Sequence, residues 1–319
     1  MSGIMTVTFN PCIDKSFDTE ALSPDRKLRC SVPKLEPGGG GINVARAVHR
    51  LGGKATAVYP SGGYHGSILT EMLRMEGVDI FPVPMLADIR ENLNVRETGT
   101  NRQYRFIEPG PVLTEHTWTK CIQALQALDK GGILVVSGSL PQEAPADLWR
   151  RIKELAGKKQ ARLVVDARGN DLRAALEAGV FLVKPNAGEL EGVAKALGLA
   201  AGTMDQMARA IVLRGLAEVV VVSLGAGGVW LVTRDINKEI KAPEVPRQSS
   251  VGAGDSLVAG IVVGLGRGMD ITEAVRYGVA CGAAAVMNPG TELCHKKDVE
   301  ALYAKMRAAT AVNAPAISN

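Results

Sequence analysis

Aromatic residues are scarce in this chain of 319 residues: five phenylalanines, five tyrosines and three tryptophans make up 4% of it. Net charge is also small, at a formal +4, and the basic residues are scattered. Nucleic-acid surfaces cluster Lys and Arg on one face, often with aromatics between them, so no nucleic-acid partner is expected and discrete pockets for anionic ligands fit better. Cys12, Cys30, Cys121, Cys281 and Cys294 are odd in number and irregularly spaced, and the four histidines show no paired ligand spacing. Neither a disulfide framework nor a zinc site is indicated, and a reducing cytoplasm is the simplest setting. No apolar run approaches the ~18 residues of a membrane span. The N-terminus enters a strand-like pattern at Ile4 to Phe9 without a basic segment and an apolar signal core, so no membrane partner is expected. Internal repeats and low-complexity linkers are missing as well.

What the sequence does have is a 46% share of hydrophobic residues, enough for the full core of one domain over residues 1–319. Residues 308–319, rich in Ala, Asn and Pro, read as a frayed tail. From about residue 132 onward, strand-length apolar runs (Ile133 to Val136, Leu163 to Val165, Phe181 to Val183, Val219 to Val222) alternate with helical patterns near 146–158, 170–178, 187–197 and 204–215. Strands apolar on both faces predict an α/β fold with a doubly wound, mostly parallel sheet, helices on both faces and ligands at the carboxyl ends of the strands. The first third differs. Asn92 to Glu97, the turn 98–101 and Gln103 to Phe106 alternate as a hairpin. With Ser16 to Leu35 they predict a small β-sheet lid from about 15–35 and 88–108, which also offers a surface for a homodimer; a plain edge extension of the main sheet is the alternative.

Chemistry concentrates in Val251-Gly252-Ala253-Gly254-Asp255-Ser256, which opens an apolar helical run. Gly252, Ala253 and Gly254 can present successive N–H groups at a helix N-terminus, where the helix dipole favours a phosphate oxyanion. Asp255 beside that phosphate suits a base that takes a proton from an attacking hydroxyl, or else it is a helix cap. Gly38-Gly39-Gly40-Gly41-Ile42-Asn43 opens a second helix. Four glycines in a row cost conformational entropy, so a close backbone approach to a ligand explains them better than a connector, and Asn43 offers an amide to a hydroxyl. The stretch is neither a Walker A loop nor a dinucleotide fingerprint. Asp14, after a strand and the turn Asn10-Pro11, reads as a sugar-hydroxyl ligand or a solvated loop residue. Lys27, Arg90 and Arg105 offer charges for a substrate phosphate, or a solvated basic face. Asn186 and Glu189, at helical spacing, suit Mg²⁺ through water or a capping box.

These motifs, taken in order along nearly the whole chain, resemble the ribokinase-like sugar kinase family, most closely its minor-type bacterial 6-phosphofructokinase branch. The segments that carry the resemblance are Thr8-Phe9-Asn10-Pro11 with Asp14, Lys27 to Cys30, Glu36 to Arg46, Gln103 to Phe106, Ser137 to Pro141, Lys184 to Leu190, Val222 to Gly225 and Val251 to Ser256. The resemblance implies ATP-dependent phosphorylation of the 1-hydroxyl of fructose 6-phosphate, a glycolytic reaction. It implies Asp255 as the base with the 252–254 amides as anion hole. Asp14, Gly39, Gly40, Asn43 and Ser139 would hold the sugar, and Lys27, Arg90 and Arg105 its phosphate. ATP would lie across Lys184, Asn186 and the loop Ser223, Leu224, Gly225, Ala226, Gly227 and Gly228, with Mg²⁺ organised by Glu189, and Asn288 near the adenine end. Ser249, Val251, Ala285, Asn288 and Gly290 fall where the family builds a K⁺ loop. In two places the sequence departs from the pattern: Ser249 stands where many members have an acidic residue, and Glu292 where close relatives tend to carry a base. The rival readings are a related kinase for tagatose 6-phosphate or fructose 1-phosphate, and a sensor of nucleotide and sugar phosphate without turnover.

Overall fold

Alternate residues of the central strands point into two different cores. Val219 and Val221 join one apolar cluster and Val220 and Val222 the other. Ile133 and Val135 are likewise separated from Leu134 and Val136, as a sheet covered on both faces requires. The computed structural model of the chain describes residues 3–312. Its strands are β1 (Ile4–Val7), β2 (Cys12–Thr19), β3 (Lys34–Gly38), β4 (Ala55–Ser61), β5 (Asp79–Pro84), β6 (Arg90–Glu97), β7 (Arg102–Phe106), β8 (Ile133–Ser137), β9 (Arg162–Asp166), β10 (Val180–Val183), β11 (Ala217–Ser223), β12 (Val229–Val232) and β13 (Asn237–Ile240). Its helices are α1 (Gly40–Arg50), α2 (Gly63–Met75), α3 (Glu115–Ala124), α4 (Leu148–Lys158), α5 (Gly169–Ala178), α6 (Ala187–Ala196), α7 (Met204–Leu213), α8 (Ala253–Gly266), α9 (Ile271–Val286) and α10 (Lys296–Val312).

The main sheet has nine strands in the order β13-β12-β11-β10-β9-β8-β1-β4-β5, parallel from β5 through β11 and antiparallel at β12 and β13. The expected doubly wound, mostly parallel α/β sandwich is therefore present. Its β4 and β5 arm lies in the part of the chain where only the lid was anticipated. The chain leaves β1 toward β4 on one side and occupies β8 on the other, so β1 and β8 flank a topological switch point, where such sheets open a crevice for ligands.

The second sheet is separate, ordered β3-β2-β6-β7, with β2 and β6 parallel and both outer pairs antiparallel. The edge-extension alternative is thus excluded. The strands occupy 12–19, 34–38, 90–97 and 102–106, so β2 begins ahead of the expected boundary at 15 and β3 runs past 35 into the glycines. Residues 20–33 are mostly irregular, with a turn at Pro24–Asp25, where Asp25 has a φ of 58°. At the other end, α10 continues to Val312, so residues 308–312 of the expected frayed tail are helical, in keeping with the helix propensity of Ala308, Ala309 and Ala311. Residues 313–319 lie outside the described residues.

Candidate active site

The carboxyl ends of four adjacent strands supply the floor. Thr8 and Asn10 follow β1, Gly138 and Ser139 follow β8, Asp166 ends β9 and Lys184 follows β10. Helix α1 enters this floor through Gly39, whose φ of 111° suits only glycine. The Ile42 N–H donates to Thr8 Oγ1 at 2.8 Å, pinning the helix start to the end of β1. A Cβ at position 41 would lie 2.6 Å from the Val7 carbonyl oxygen, and one at position 40 would lie 2.7 Å from the Gly138 nitrogen. The glycines therefore let α1 sit against the protein's own strand ends. The sequence pointed instead to a ligand as the reason for them.

Gly252 caps α8 in the left-handed region (φ 76°), so the N–H groups of the first turn face the crevice without intrahelical acceptors. Asp255 sits in that turn, half-buried, and its Oδ2 accepts a hydrogen bond from Asn43 Nδ2 at 2.9 Å. Burial pushes the Asp255 carboxyl up to about 7, and the charge of Asp166 adds to this; Asn43 and Lys184 oppose the shift, and Asp14 adds a smaller push. A carboxylate tuned near neutrality matches the requirement of a general base working at that pH. Lys184 is buried, with Nζ 3.2 Å from Asp166 Oδ1, and lies beside Gly254, where a Cβ would be 3.6 Å from Nζ. A cation and helix N–H groups thus converge on one point.

Across the crevice the lid presents Asp14. Asn92 Nδ2 donates to Asp14 Oδ1 at 3.0 Å and approaches Cys12 Sγ at 3.1 Å. Asn10 Nδ2 donates to the Pro109 carbonyl at 3.0 Å and reaches Ser139 Oγ at 3.4 Å. Arg90 spends its Nη1 on the Glu108 carbonyl and its Nη2 on the Asn10 carbonyl, at 2.9 and 3.1 Å, leaving Nε without a partner. By register Cys12, Asp14 and Ser16 lie opposite Arg90, Asn92 and Asn94, and Asn94 lies opposite Arg105, so Arg90, Arg105 and Asp14 share one face of the lid. Lys27 stands exposed in the loop between β2 and β3. Asp14, Gly39, Gly40, Asn43, Ser139 and Asp255 are gathered; Lys27 and Arg105 are exposed at present. The lid also reaches the main layer through Thr291, whose hydroxyl donates to Glu36 Oε2.

A cavity of about 410 Å³ extends from the first turn of α8 between the loop after β11, residues 242–247 and α9. Ser223, Gly225, Ala226, Gly228, Ala253 and Gly254 line it. Leu224 and Gly227 are not on its wall; the Leu224 N–H donates to the Gly228 carbonyl at 2.9 Å and the Gly227 N–H to the Leu224 carbonyl at 3.1 Å, closing the loop. Asn288 is not on the wall either, because its Nδ2 donates to the Leu293 carbonyl at 3.0 Å and ties off the 288–293 turn. Asn186 and Glu189 form the capping box of α6, with Glu189 Oε2 accepting from the Asn186 N–H at 2.9 Å and Oε1 3.1 Å from Arg168 Nε. Their oxygens remain hard donors at a strand's carboxyl end, the chemistry that suits Mg²⁺ held through water. Ser249 Oγ donates to the Gly290 carbonyl at 2.6 Å, and the Asn288 N–H donates to the Ala285 carbonyl at 3.1 Å. The two segments carrying Ser249, Val251, Ala285, Asn288 and Gly290 are therefore adjacent, with the Gly290 and Ala285 carbonyls both accepting hydrogen bonds from within them.

Sequence reasoning missed Asp166, although it ends a predicted strand as Ser137 does. It also missed Cys12 and Asn92, whose relation to Asp14 exists only through cross-strand register, and residues 242–247, which carry no motif. A separate groove of about 450 Å³, lined by Phe81, Pro84, His116 and Lys120, lies at the outer edge of the main sheet on β5 and α3.

The family model of the pfkB family carbohydrate kinases matches residues 7–298. Proteins named ATP-dependent 6-phosphofructokinase isozyme 2 from Mycobacterium tuberculosis and Escherichia coli are each 40% identical to the chain, over 94% of it and 88% of the former, and 95% of it and 99% of the latter. The 1-phosphofructokinase of Bacillus subtilis is 32% identical over 91% of the chain and 95% of its own length. Two crystal structures of phosphofructokinase-2 from Escherichia coli, one in complex with potassium and one with fructose-6-phosphate, superpose with TM-scores of 0.91 and 0.90 at 39% and 38% identity, covering 96% of this chain and all of theirs. A structure described as the tetrameric inhibited form of that enzyme gives 0.89 at 38% identity, with the same coverage.

Proposed function

The chain belongs to the pfkB family of carbohydrate kinases, and on that premise we propose that it transfers the terminal phosphoryl group of ATP to the 1-hydroxyl of fructose 6-phosphate. The observation that carries this reading is Asp255 in the first turn of α8, held by Asn43 and tuned to about 7 between Asp166 and Lys184. The 6-phosphofructokinase relatives stand at 40% identity and the 1-phosphofructokinase relative at 32%, which favours fructose 6-phosphate over the rival ketose phosphate.

Asp255 takes the proton of the 1-hydroxyl as the oxygen attacks the phosphoryl group. The first-turn N–H groups and Lys184 take up the charge that spreads over the transferred oxygens, where most of the catalytic stabilisation of such a transfer resides. Asp14, Ser139, Asn43 and the Gly39 and Gly40 backbone orient the sugar. Arg90, Arg105 and Lys27 hold its phosphate once the lid settles on it. The base and ribose of ATP occupy the cavity beside α8 and α9; Glu189 and Asn186 would hold Mg²⁺ through water, and the ion would supply charge neutralisation at the phosphates. Ser249, Val251 and the 285–290 segment would hold K⁺.

The lid face opposite Asp14, where register groups Leu35, Leu93 and Phe106 and leaves Leu35 and Phe106 exposed, joins two copies of the chain. No helix among the described residues is long and apolar enough to cross a membrane, and the five cysteines are free. The reading is tested by initial rates with Mg-ATP on fructose 6-phosphate, tagatose 6-phosphate and fructose 1-phosphate, with and without potassium. The highest kcat/KM is expected for fructose 6-phosphate. A preference for another sugar reassigns the acceptor, and no turnover with any of them leaves the sensor reading. Asp255→Asn is expected to keep ligand binding and lose turnover by about 10²- to 10⁴-fold; near-normal turnover removes Asp255 from the mechanism.

A further inference from the structure

Helix α1 carries a buried arginine that touches neither crevice nor cavity. Arg46 is only 2% exposed. Its Nε and Nη2 pair in a bidentate fork with the Glu76 carboxylate, both at 2.7 Å, at the C-terminal end of α2. Its Nη1 donates to the Pro37 carbonyl at 3.0 Å and to Asn43 Oδ1 at 3.3 Å, one helical turn away on α1. Asn43 is itself mostly buried, and its Nδ2 donates to Asp255 Oδ2. Four side chains from α2, α1 and α8 therefore form one chain of contacts: Glu76, Arg46, Asn43, Asp255.

The chemistry of the two ends decides how the amide between them is turned. A guanidinium only donates, so the oxygen of Asn43 must face Arg46; an ionised carboxylate only accepts, so the nitrogen must face Asp255. We propose that Arg46, with its plane set by Glu76, is a positioning residue for the phosphoryl transfer: it locks the amide of Asn43 so that its N–H meets Asp255 rather than its carbonyl oxygen. This rests on Asp255 being the base. Bidentate pairing to Glu76 suits the purpose because two parallel bonds fix the guanidinium plane as well as its position.

The alternative orientation has a definite consequence. A flipped amide would aim its oxygen at the carboxylate and stabilise only the protonated acid. The Asn43 hydrogen bond is among the influences that hold the Asp255 carboxyl down, against burial and the charges of Asp166 on β9 and Asp14 on β2, with Lys184 on its side. Loss of the lock removes that restraint. Asp255 then ionises at higher pH, and turnover at neutral pH falls while turnover at alkaline pH recovers.

The experiment is the pH profile of kcat for Arg46→Met, Arg46→Lys and Glu76→Gln, beside wild type and Asp255→Asn, with thermal melting to verify folding. Arg46→Met is expected to move the acid limb up by about one pH unit, lowering turnover near pH 6.5 by roughly tenfold and that near pH 9 by much less. Arg46→Lys and Glu76→Gln, which keep a donor toward Asn43 but lose the fork, are expected to give smaller shifts of the same sign. In an Asn43→Ala background, Arg46→Met should shift the limb no further. A loss uniform across pH, or a full additional shift in that background, overturns the inference and makes Arg46 a purely structural residue. Should Arg46→Met fail to fold, Glu76→Gln decides alone, because its carboxylate is 30% exposed and a glutamine carboxamide still accepts from Arg46; an unmoved limb is the overturning result. If Asp255→Asn keeps turnover, the base assignment fails first, whatever Arg46 does.

Discussion

At the residue scale the site is a balance of like charges. Lys184 pairs with Asp166, while the charges of Asp166 and Asp14 both bear on the half-buried Asp255, whose ionisation suffers. Because its folded pKa, about 7, lies above the ordinary carboxylate value, the native state holds a proton there that the unfolded chain has released. The stabilising effect of that proton is fully present below about pH 4 and is lost as pH rises through 7. Two outcomes follow. The acid limb of kcat/KM should report a group near 7 in the free enzyme. Asp255→Asn, which never ionises, should match wild type in chemical denaturation near pH 4 and exceed it by about 2–4 kcal/mol at pH 8, after allowing for the solvent that reaches the carboxylate through the crevice. Equal stabilities at pH 8 would mean the carboxylate is well solvated. For Arg90 the expectation is different. Arg90→Ala should raise the KM for the sugar phosphate by tenfold or more with little change for ATP, whereas equal losses for both would mean that its bonds to the Glu108 and Asn10 carbonyls are its whole purpose.

At the scale of elements, legibility followed burial. β8, β9, β10 and β11 were readable because β-branched runs flanked by turn residues leave little else for them to be. β5 and β13 were not: Pro82 and Pro84 interrupt the first, and the second is Asn-Lys-Glu-Ile, both being strands at the margins of the main sheet where one side of the ladder is open. The hairpin of the lid was legible from alternation and a turn. Its partner β2 was less so, because parallel pairing with β6 joins residues some 78 positions apart, and only that register places Asn92 on Asp14. The glycines of α1 make the element-scale prediction. Gly41→Ala would drive a methyl into the Val7 carbonyl and Thr8 hydroxyl at 2.6 and 2.7 Å, displacing α1 from the end of β1. Urea denaturation should show a loss of about 1–3 kcal/mol, the ordinary range for an overpacked site, and turnover should fall because Asn43 moves with the helix. Unchanged stability would mean that α1 can retreat without consequence.

For the whole molecule, the motifs name Asp14, Gly39, Gly40, Asn43, Ser139 and Asp255, which the fold gathers, but leave out Asp166, Cys12 and Asn92 and say nothing of how the crevice is supported. Arg46 and Thr291 lie inside or beside quoted motifs, and nothing in their spacing reveals the groups they hold. Assembly belongs to this scale as well. On the lid face opposite Asp14, register groups Leu35, Leu93 and Phe106, with Leu35 at 37% and Phe106 at 53% exposure, an apolar strip on a surface sheet. Phe106→Asp is expected to convert a dimer to monomers in sedimentation velocity and to lower turnover with it; an unchanged sedimentation coefficient would move the interface elsewhere.

The hydrogen bond between Thr291 and Glu36 joins β3 of the lid to the same short turn whose Gly290 carbonyl receives the Ser249 hydroxyl. Glu36 is the register partner of Asp14 on the neighbouring strand, so a single carboxylate stands between the strand carrying Asp14 and the 288–293 turn. Any swing that lifts β3 must first part this clasp. The clasp thereby ties the placement of β3, and of Asp14 paired with it, to the placement of the 288–293 turn. Whatever free energy the clasp carries is shared equally by the two elements it joins, so what loosens the turn loosens β3 to the same extent.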